Sequence, residues 1–204
     1  MCRWSTHQLK EKLMKVFFHF SVAGFSNTYI VGPDSGGDAI IIDPGTMNVA
    51  LLNMIEANGF YIRHVLVTHS HDSHTSGLRT LRKIYDFDIY AGTPEIKDYP
   101  CNQITGGDAF EVADVLVKAI SVGGHSSDSL VYVINSWLFT GDVFGAGTLG
   151  STPNGYAKEL MITEIKKKIF SLENDYLIFP GHGAPSTLEI EKLTNPALID
   201  RSTD

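Results

Sequence analysis

With 204 residues, 43% of them hydrophobic and 19% charged, the chain has the balance of a folded globular protein and too much apolar content to be disordered throughout. Its formal charge of −7 and the absence of a basic strip argue against a nucleic-acid partner. The apolar runs, such as Ala39–Ile42 and Val65–Val67, fall far short of the ~20 residues a membrane-spanning helix needs, so no membrane association is expected.

In chain order, Lys15–Val22 and Asn27–Gly32 are aromatic and β-branched and predict strands. Pro33-Asp34-Ser35-Gly36-Gly37 is a turn by composition, and Ala39–Ile42 reads as a strand covered on both faces. Thr46 is placed to cap a helix from about Met47 to Asn58, with Leu51, Leu52 and Ile55 on its buried stripe and Gly59 past its end. A buried strand over His64–Thr68 leads into a histidine-dense loop, then a helix from about Ser76 to Tyr85. Strands follow at Phe110–Val112, Leu116–Val122, Leu130–Ile134 and Trp137–Thr140, then a loop over 145–155. Ala157, Met161, Ile165 and Ile169 keep step on one face of a helix over Tyr156–Leu172, with Lys166-Lys167-Lys168 on its solvated side. Tyr176–Phe179 is a short buried strand, and Ser186 with Glu189 suggests a capping box for a last helix over Thr187–Leu193.

No composition break marks a linker, so 1–204 is read as one domain, with residues 1–13 as a mobile N-terminal extension. Two successive α/β halves predict two sheets packed face to face with helices outside. The two cysteines, Cys2 and Cys101, stand far apart, and the N-terminus lacks the continuous apolar core of a secretory signal. A cytoplasmic location without disulfides is expected.

Five of the eight histidines and one acid fall at four strand-to-loop junctions. In Thr68-His69-Ser70-His71-Asp72-Ser73-His74 a buried strand delivers three imidazoles within six residues. A lone loop histidine is usually solvated, whereas such clustering is a metal-ligand signature. Residues two apart on an extended segment point the same way, so His69 and His71 converge on one ion, while His74 is displaced toward a neighbouring one. The other junctions are Gly123-Gly124-His125, Phe139-Thr140-Gly141-Asp142 and Phe179-Pro180-Gly181-His182-Gly183. Each alone reads more readily as a turn.

Taken together, the order and spacing of these junctions resemble the metallo-β-lactamase superfamily, in particular its glyoxalase-II-like branch. Asn27-Thr28-Tyr29, Ile42-Asp43-Pro44-Gly45, Gly77 and Glu191 with Asn195-Pro196 fit the same pattern, so the likeness extends over nearly the whole chain from Met14. The resemblance implies an α/β fold, the αββα four-layer sandwich, with the site at one edge between two mixed sheets. It implies a first metal held by His69, His71 and His125, a second by His74 and His182, Asp142 bridging the two, and Asp43 in support. The expected function is hydrolysis of a small-molecule ester or thioester by a metal-activated water, with zinc as the ion and iron or manganese as alternatives.

One departure stands out. The superfamily cluster reads His-x-His-x-Asp-His, whereas here Ser73 takes the place of the acid and Asp72 carries one a position earlier. A serine hydroxyl is a poor zinc ligand. One tightly bound zinc and a weak or absent second are therefore expected, with Asp72 or Asp142 left to take the proton, so activity is expected to be weak.

Gly150-Ser151 stands where glyoxalase-like relatives often carry Gly-Arg, which removes a cation for an anionic substrate. The chain ends soon after Pro196, short of the further helical region by which glyoxalase II enzymes help hold glutathione, so that particular activity is not expected. The alternatives are a mono-iron persulfide-dioxygenase-like oxidoreductase using His69, His125 and Asp142, or a degenerate metal-binding protein with a decayed second site. Gly145–Gly150 matches GxGxxG but lacks the following helix that a dinucleotide site needs. Cys101 has no histidine partner outside the metal set and reads as structural.

Overall fold

The computed structural model describes residues 13–22 and 24–199. Leu13 apart, the expected N-terminal extension lies outside the described residues, as does Cys2. The first half contributes β1 (Met14–Ser21), β2 (Ser26–Pro33), β3 (Gly37–Ile42), α1 (Val49–Ala57), β4 (Phe60–Leu66), α2 (Asp72–Thr75), α3 (Leu78–Leu81), β5 (Asp88–Ala91), the small hairpin β6 (Glu95–Ile96) and β7 (Tyr99–Pro100), and β8 (Asn102–Gln103). The second half contributes β9 (Ala109–Val112), β10 (Val115–Ser121), β11 (Leu130–Ile134), β12 (Trp137–Gly141), the hairpin β13 (Phe144–Gly145) and β14 (Thr148–Leu149), α4 (Gly155–Glu164), β15 (Leu177–Pro180), β16 (Ser186–Thr187) and α5 (Leu188–Thr194).

Two six-stranded mixed sheets form, in the orders β1-β2-β3-β4-β5-β8 and β16-β15-β12-β11-β10-β9. Period-two alternation decides which face each residue covers. In β3, Ala39 and Ile41 pack under α1 and α3 with Leu51, Ile55, Leu78 and Leu81. Ile40 and Ile42 instead face the second sheet, meeting Val117, Tyr132 and Phe139. In β11, Leu130, Tyr132 and Ile134 fill that same space between the sheets, while Val131 and Val133 face Met161, Ile165 and Ile169 on the far side. Helices therefore lie outside both sheets, and the fold is the αββα four-layer sandwich.

Several boundaries differ from the sequence reading. The cap of α1 is Asn48, whose side chain accepts from Leu51 N at 2.9 Å; Thr46 Oγ1 bonds Ser21 Oγ instead. The expected helix over Ser76–Tyr85 is two short pieces starting earlier, at Asp72. Gly77 separates them because it is pressed on the β3–α1 loop: its N–H donates to Pro44 O, and a Cβ there would come within 2.5 Å of that oxygen. Beyond α4 the chain widens into a π-turn over Ile165–Ile169, which keeps Ile165 and Ile169 fully buried. Lys168 is not simply solvated, since it donates to Ser121 O at 2.7 Å and pairs with Glu164. The cap of α5 is Thr187, which accepts from Ile190 N; Ser186 turns its hydroxyl to Glu191. The GxGxxG segment forms β13 and β14 and has no helix at its end.

Candidate metal centre

The two sheets meet at one edge, where the C-terminal ends of β4, β12 and β15 run into the His69–His74, Asp142 and His182 loops. Asp43, just past β3, is 2% exposed and sits at φ +51°. Its carboxylate accepts from Thr68 N and Thr68 Oγ1, both at 2.7 Å, and from His74 Nδ1 at 3.0 Å. One buried acid therefore fixes both ends of the histidine loop and aims the His74 ring.

The ligand atoms gather in two groups, His69, His71, His125 and Asp142 in one, and His74, Asp142 and His182 in the other. His125 Nε2 lies 3.2 Å from His69 Nε2 and 3.1 Å from His71 Nδ1. Asp142 divides its carboxylate between the groups. Its Oδ2 stands 3.8 Å from His69 Nε2 and 3.7 Å from His125 Nε2, and its Oδ1 stands 3.4 Å from His74 Nε2 and 2.7 Å from His182 Nδ1.

Glycines make this approach possible. At Gly181 a Cβ would lie 2.5 Å from His74 Cε1 and 2.6 Å from Asp142 Oδ1, and at Gly150 it would overlap Asp142 O. In each Gly-framed junction one glycine, Gly124, Gly141 or Gly181, stands where a Cβ would come within 2.5 Å of a neighbour, whereas Gly183 has open space around it.

The tautomers follow from the partners. His125 Nδ1 faces Ser151 O at 2.7 Å, so it carries the proton and Nε2 presents a lone pair to the group. His74 Nδ1 faces the Asp43 carboxylate, which leaves Nε2 buried without a hydrogen-bond partner and directed at Asp142. Three imidazole nitrogens crowded at 3.1 and 3.2 Å, beside an orphaned buried nitrogen and a shared carboxylate, make a donor set suited to a cation. The donor set of imidazole and carboxylate fits a divalent transition metal.

Electrostatics agree. Burial, with the neighbouring His74, pushes the His69 imidazole down to about 4 and keeps it neutral. Burial also opposes charge on His74, but Asp43 and Asp142 outweigh it and push this group up to about 10 when no metal competes for the nitrogen. Although burial works to raise Asp142, His182 and His74 hold its carboxyl well below the usual range.

Asp72 is the exception among the expected site residues. Its side chain is 83% exposed, ion-paired with Lys97, and it joins neither ligand group. The reason is that α2 begins at Asp72: two residues apart on a helix project to nearly opposite sides, so a helix that turns His74 inward turns Asp72 out. Asp72, given a catalytic role in the sequence reading, thus lies outside both ligand groups. Ser73 is half-buried, its carbonyl accepting from Ser26 Oγ at 2.6 Å.

Sequence reasoning passed over the Ser151 carbonyl that orients His125, and Asp128, which accepts from Ser70 N at 2.9 Å and from Ser126 Oγ. Neither carries a signal in residue type, because a backbone carbonyl is invisible in sequence and a turn Asp is ordinary. Beside the second group lies a cavity of about 270 Å³, lined by Asp142, Phe144, Thr148, Leu149, Ser151 and His182 among others, with no Lys or Arg in its wall.

The profile of the metallo-beta-lactamase superfamily matches residues 22–100 and 90–182. With a four-layer sandwich, two His/Asp ligand groups at its sheet edge and this match, the chain belongs to the metallo-beta-lactamase superfamily. It is similar to a hydroxyacylglutathione hydrolase of Methylobacillus flagellatus, 30% identical over 62% of this chain and 51% of that protein. It is also similar to a probable polyketide biosynthesis zinc-dependent hydrolase of Bacillus velezensis, 29% identical over 76% of this chain and 71% of that one. The match spans about half the length of several of its curated relatives. Among solved structures, the BLEG-1 B3 metallo-beta-lactamase superposes with a TM-score of 0.81 at 22% identity, over 90% of this chain and 99% of its own.

Proposed function

We propose that this chain is a metal-dependent hydrolase of small ester or thioester substrates. The observation that carries the reading is the Asp142 carboxylate, each of whose oxygens faces a separate group of imidazoles. The names of the two relatives, a hydroxyacylglutathione hydrolase and a probable polyketide biosynthesis zinc-dependent hydrolase, support hydrolysis of an acyl substrate and zinc as the ion. Iron and manganese suit the same donors.

A divalent metal held by His69, His71, His125 and Asp142 would supply Lewis acidity, lowering the pKa of a water and polarising a carbonyl. The residues of the chain hold and orient. Asp43 and Ser151 O set the ring tautomers, and Asp142 places one carboxylate oxygen against each group. Because His182 and His74 hold Asp142 well below the usual carboxyl range, it is a weak proton store. With Asp72 turned away, loss of an effective base lowers the rate by ~10²–10⁴-fold. The second group, lacking an acid at position 73, is the weaker site. The wall of the adjoining cavity carries no Lys or Arg to pair with an anion, which favours a small acyl group without a negative charge. Among the described residues no helix is long and apolar enough to cross a membrane, and the free, half-buried Cys101 favours a reducing, cytoplasmic setting.

The test is metal analysis of protein purified without chelator, followed by hydrolysis of a panel of acyl thioesters and esters. About one equivalent of metal with turnover abolished by chelation is expected. Less than about half an equivalent of any transition metal, after reconstitution with excess zinc, overturns the reading. Iron with oxygen uptake on a persulfide would replace hydrolysis by oxidation.

A further inference from the structure

The three imidazoles of the first ligand group come from two loops far apart in sequence, and a single carboxylate ties those loops together from outside. Asp128 Oδ2 accepts from Ser70 N at 2.9 Å, and this N–H belongs to the residue lying between His69 and His71. Asp128 Oδ1 accepts from the hydroxyl of Ser126, the residue after His125. The side chain is half-buried, and it touches neither ligand ring through a hydrogen bond. The loop carrying it is itself fixed: Gly92, past β5, packs so closely that a Cβ there would lie 2.4 Å from Asp128 O. Two residues on, Leu130 N donates to Thr68 O at 2.8 Å.

We propose that Asp128 is a positioning residue for the first metal group, setting the distance between the His69–His71 segment and His125 by holding Ser70 N with one oxygen and Ser126 Oγ with the other. The inference rests on the metal-centre reading above. The physical argument is that turning the Ser70 peptide moves the two flanking rings together, so a bond at that N–H controls both. An ordinary turn-forming Asp bonds only its own neighbours, and the Ser126 contact alone would be of that kind. The Ser70 contact crosses 58 residues and joins separate loops, which a turn does not require.

The experiment compares wild type, Asp128→Ala, Asp128→Asn and Ser126→Ala in zinc affinity by chelator competition, in the visible spectrum of the Co2+-loaded protein, and in the melting temperature of the metal-free protein. Loss of an outer partner weakens metal binding ~10–100-fold. Asp128→Ala is expected to fall in that range with an altered Co2+ spectrum. Asp128→Asn keeps one acceptor oxygen and should recover part of the loss, and Ser126→Ala should show a smaller change in the same direction. Unchanged zinc affinity and Co2+ spectrum in the Asp128 variants overturn the proposal, even if the metal-free melting temperature drops, because that pattern is a purely structural role. Should Asp128→Ala fail to fold, Asp128→Asn and Ser126→Ala decide: wild-type affinity and spectrum in both overturn it. Wild-type protein that binds no metal overturns the metal-centre reading itself, and this inference with it.

Discussion

At position 181 a single methyl group would collide with both the His74 ring and the Asp142 carboxylate, at 2.5 and 2.6 Å. His74 is buried and held by Asp43, and the partly buried Asp142 is held by His182, so they have little room to give. Gly181→Ala is accordingly expected to lower stability by about 1–3 kcal/mol, as overpacking does. It should also weaken metal uptake at the His74–Asp142–His182 group more than at the three-histidine group. Denaturant unfolding together with a metal titration resolves the two effects, and a variant that titrates like wild type would contradict the tight approach. Residue identity revealed this constraint only as a pattern of glycines beside histidines. Which atoms stand against each glycine depends on loops from both halves of the chain.

At the scale of elements, α4 is tied to the turn before His125. Glu164 Oε2 accepts from Gly123 N at 2.8 Å, and Glu164 pairs with Lys168 at 2.9 Å within the π-turn. Partial burial works to raise this carboxyl, but Gly123 N–H and Lys168 outweigh it and hold it below the usual glutamate range. Its pKa is thus lower folded than unfolded, the unfolded chain binds more protons across that window, and stability rises with pH there. The contribution is complete above the ordinary glutamate value and is lost as pH falls through the folded one. Melting curves of wild type and Glu164→Gln should differ at pH 7 and converge toward pH 3; a gap independent of pH would remove Glu164 from the acid limb. Period-3.6 spacing predicted the helix and its buried stripe, yet not the π-turn, since α-helical and π-helical sequences carry the same apolar spacing of four. Capping was misassigned for a similar reason. Thr46, Asn48, Ser186 and Thr187 are all competent caps, and tertiary partners such as Ser21 and Glu191 decided which were free to act.

For the molecule as a whole, the site exists because two sheets are clamped at one edge. Asn27 Nδ2 in β2 donates to Pro180 O at 2.9 Å and Gly183 O at 2.8 Å, and Tyr29 OH donates to Pro180 O at 2.7 Å, joining the first sheet to the strand end that carries His182. A metal bound only by the folded arrangement stabilises it by mass action, about 4 kcal/mol when free metal is 1,000 times its Kd. Thermal unfolding should therefore shift upward with added zinc and return on chelation. An unchanged melting temperature across that titration would mean the ligand groups do not act as a metal site.

The sequence by itself determined which residues were candidates. Continuous apolar runs marked the strands buried on both faces, and histidines clustered or framed by glycine at strand ends marked the candidate ligands, because both signals are local and set by spacing along the chain. Only the tertiary structure decided that Asp72 faces solvent while Asp142 divides its oxygens between two groups, and that Asp128 and Ser151 O steady the rings. Those facts depend on where distant loops meet, and the direction of a side chain at a loop-to-helix boundary turns by about 100° with each residue of helix gained or lost.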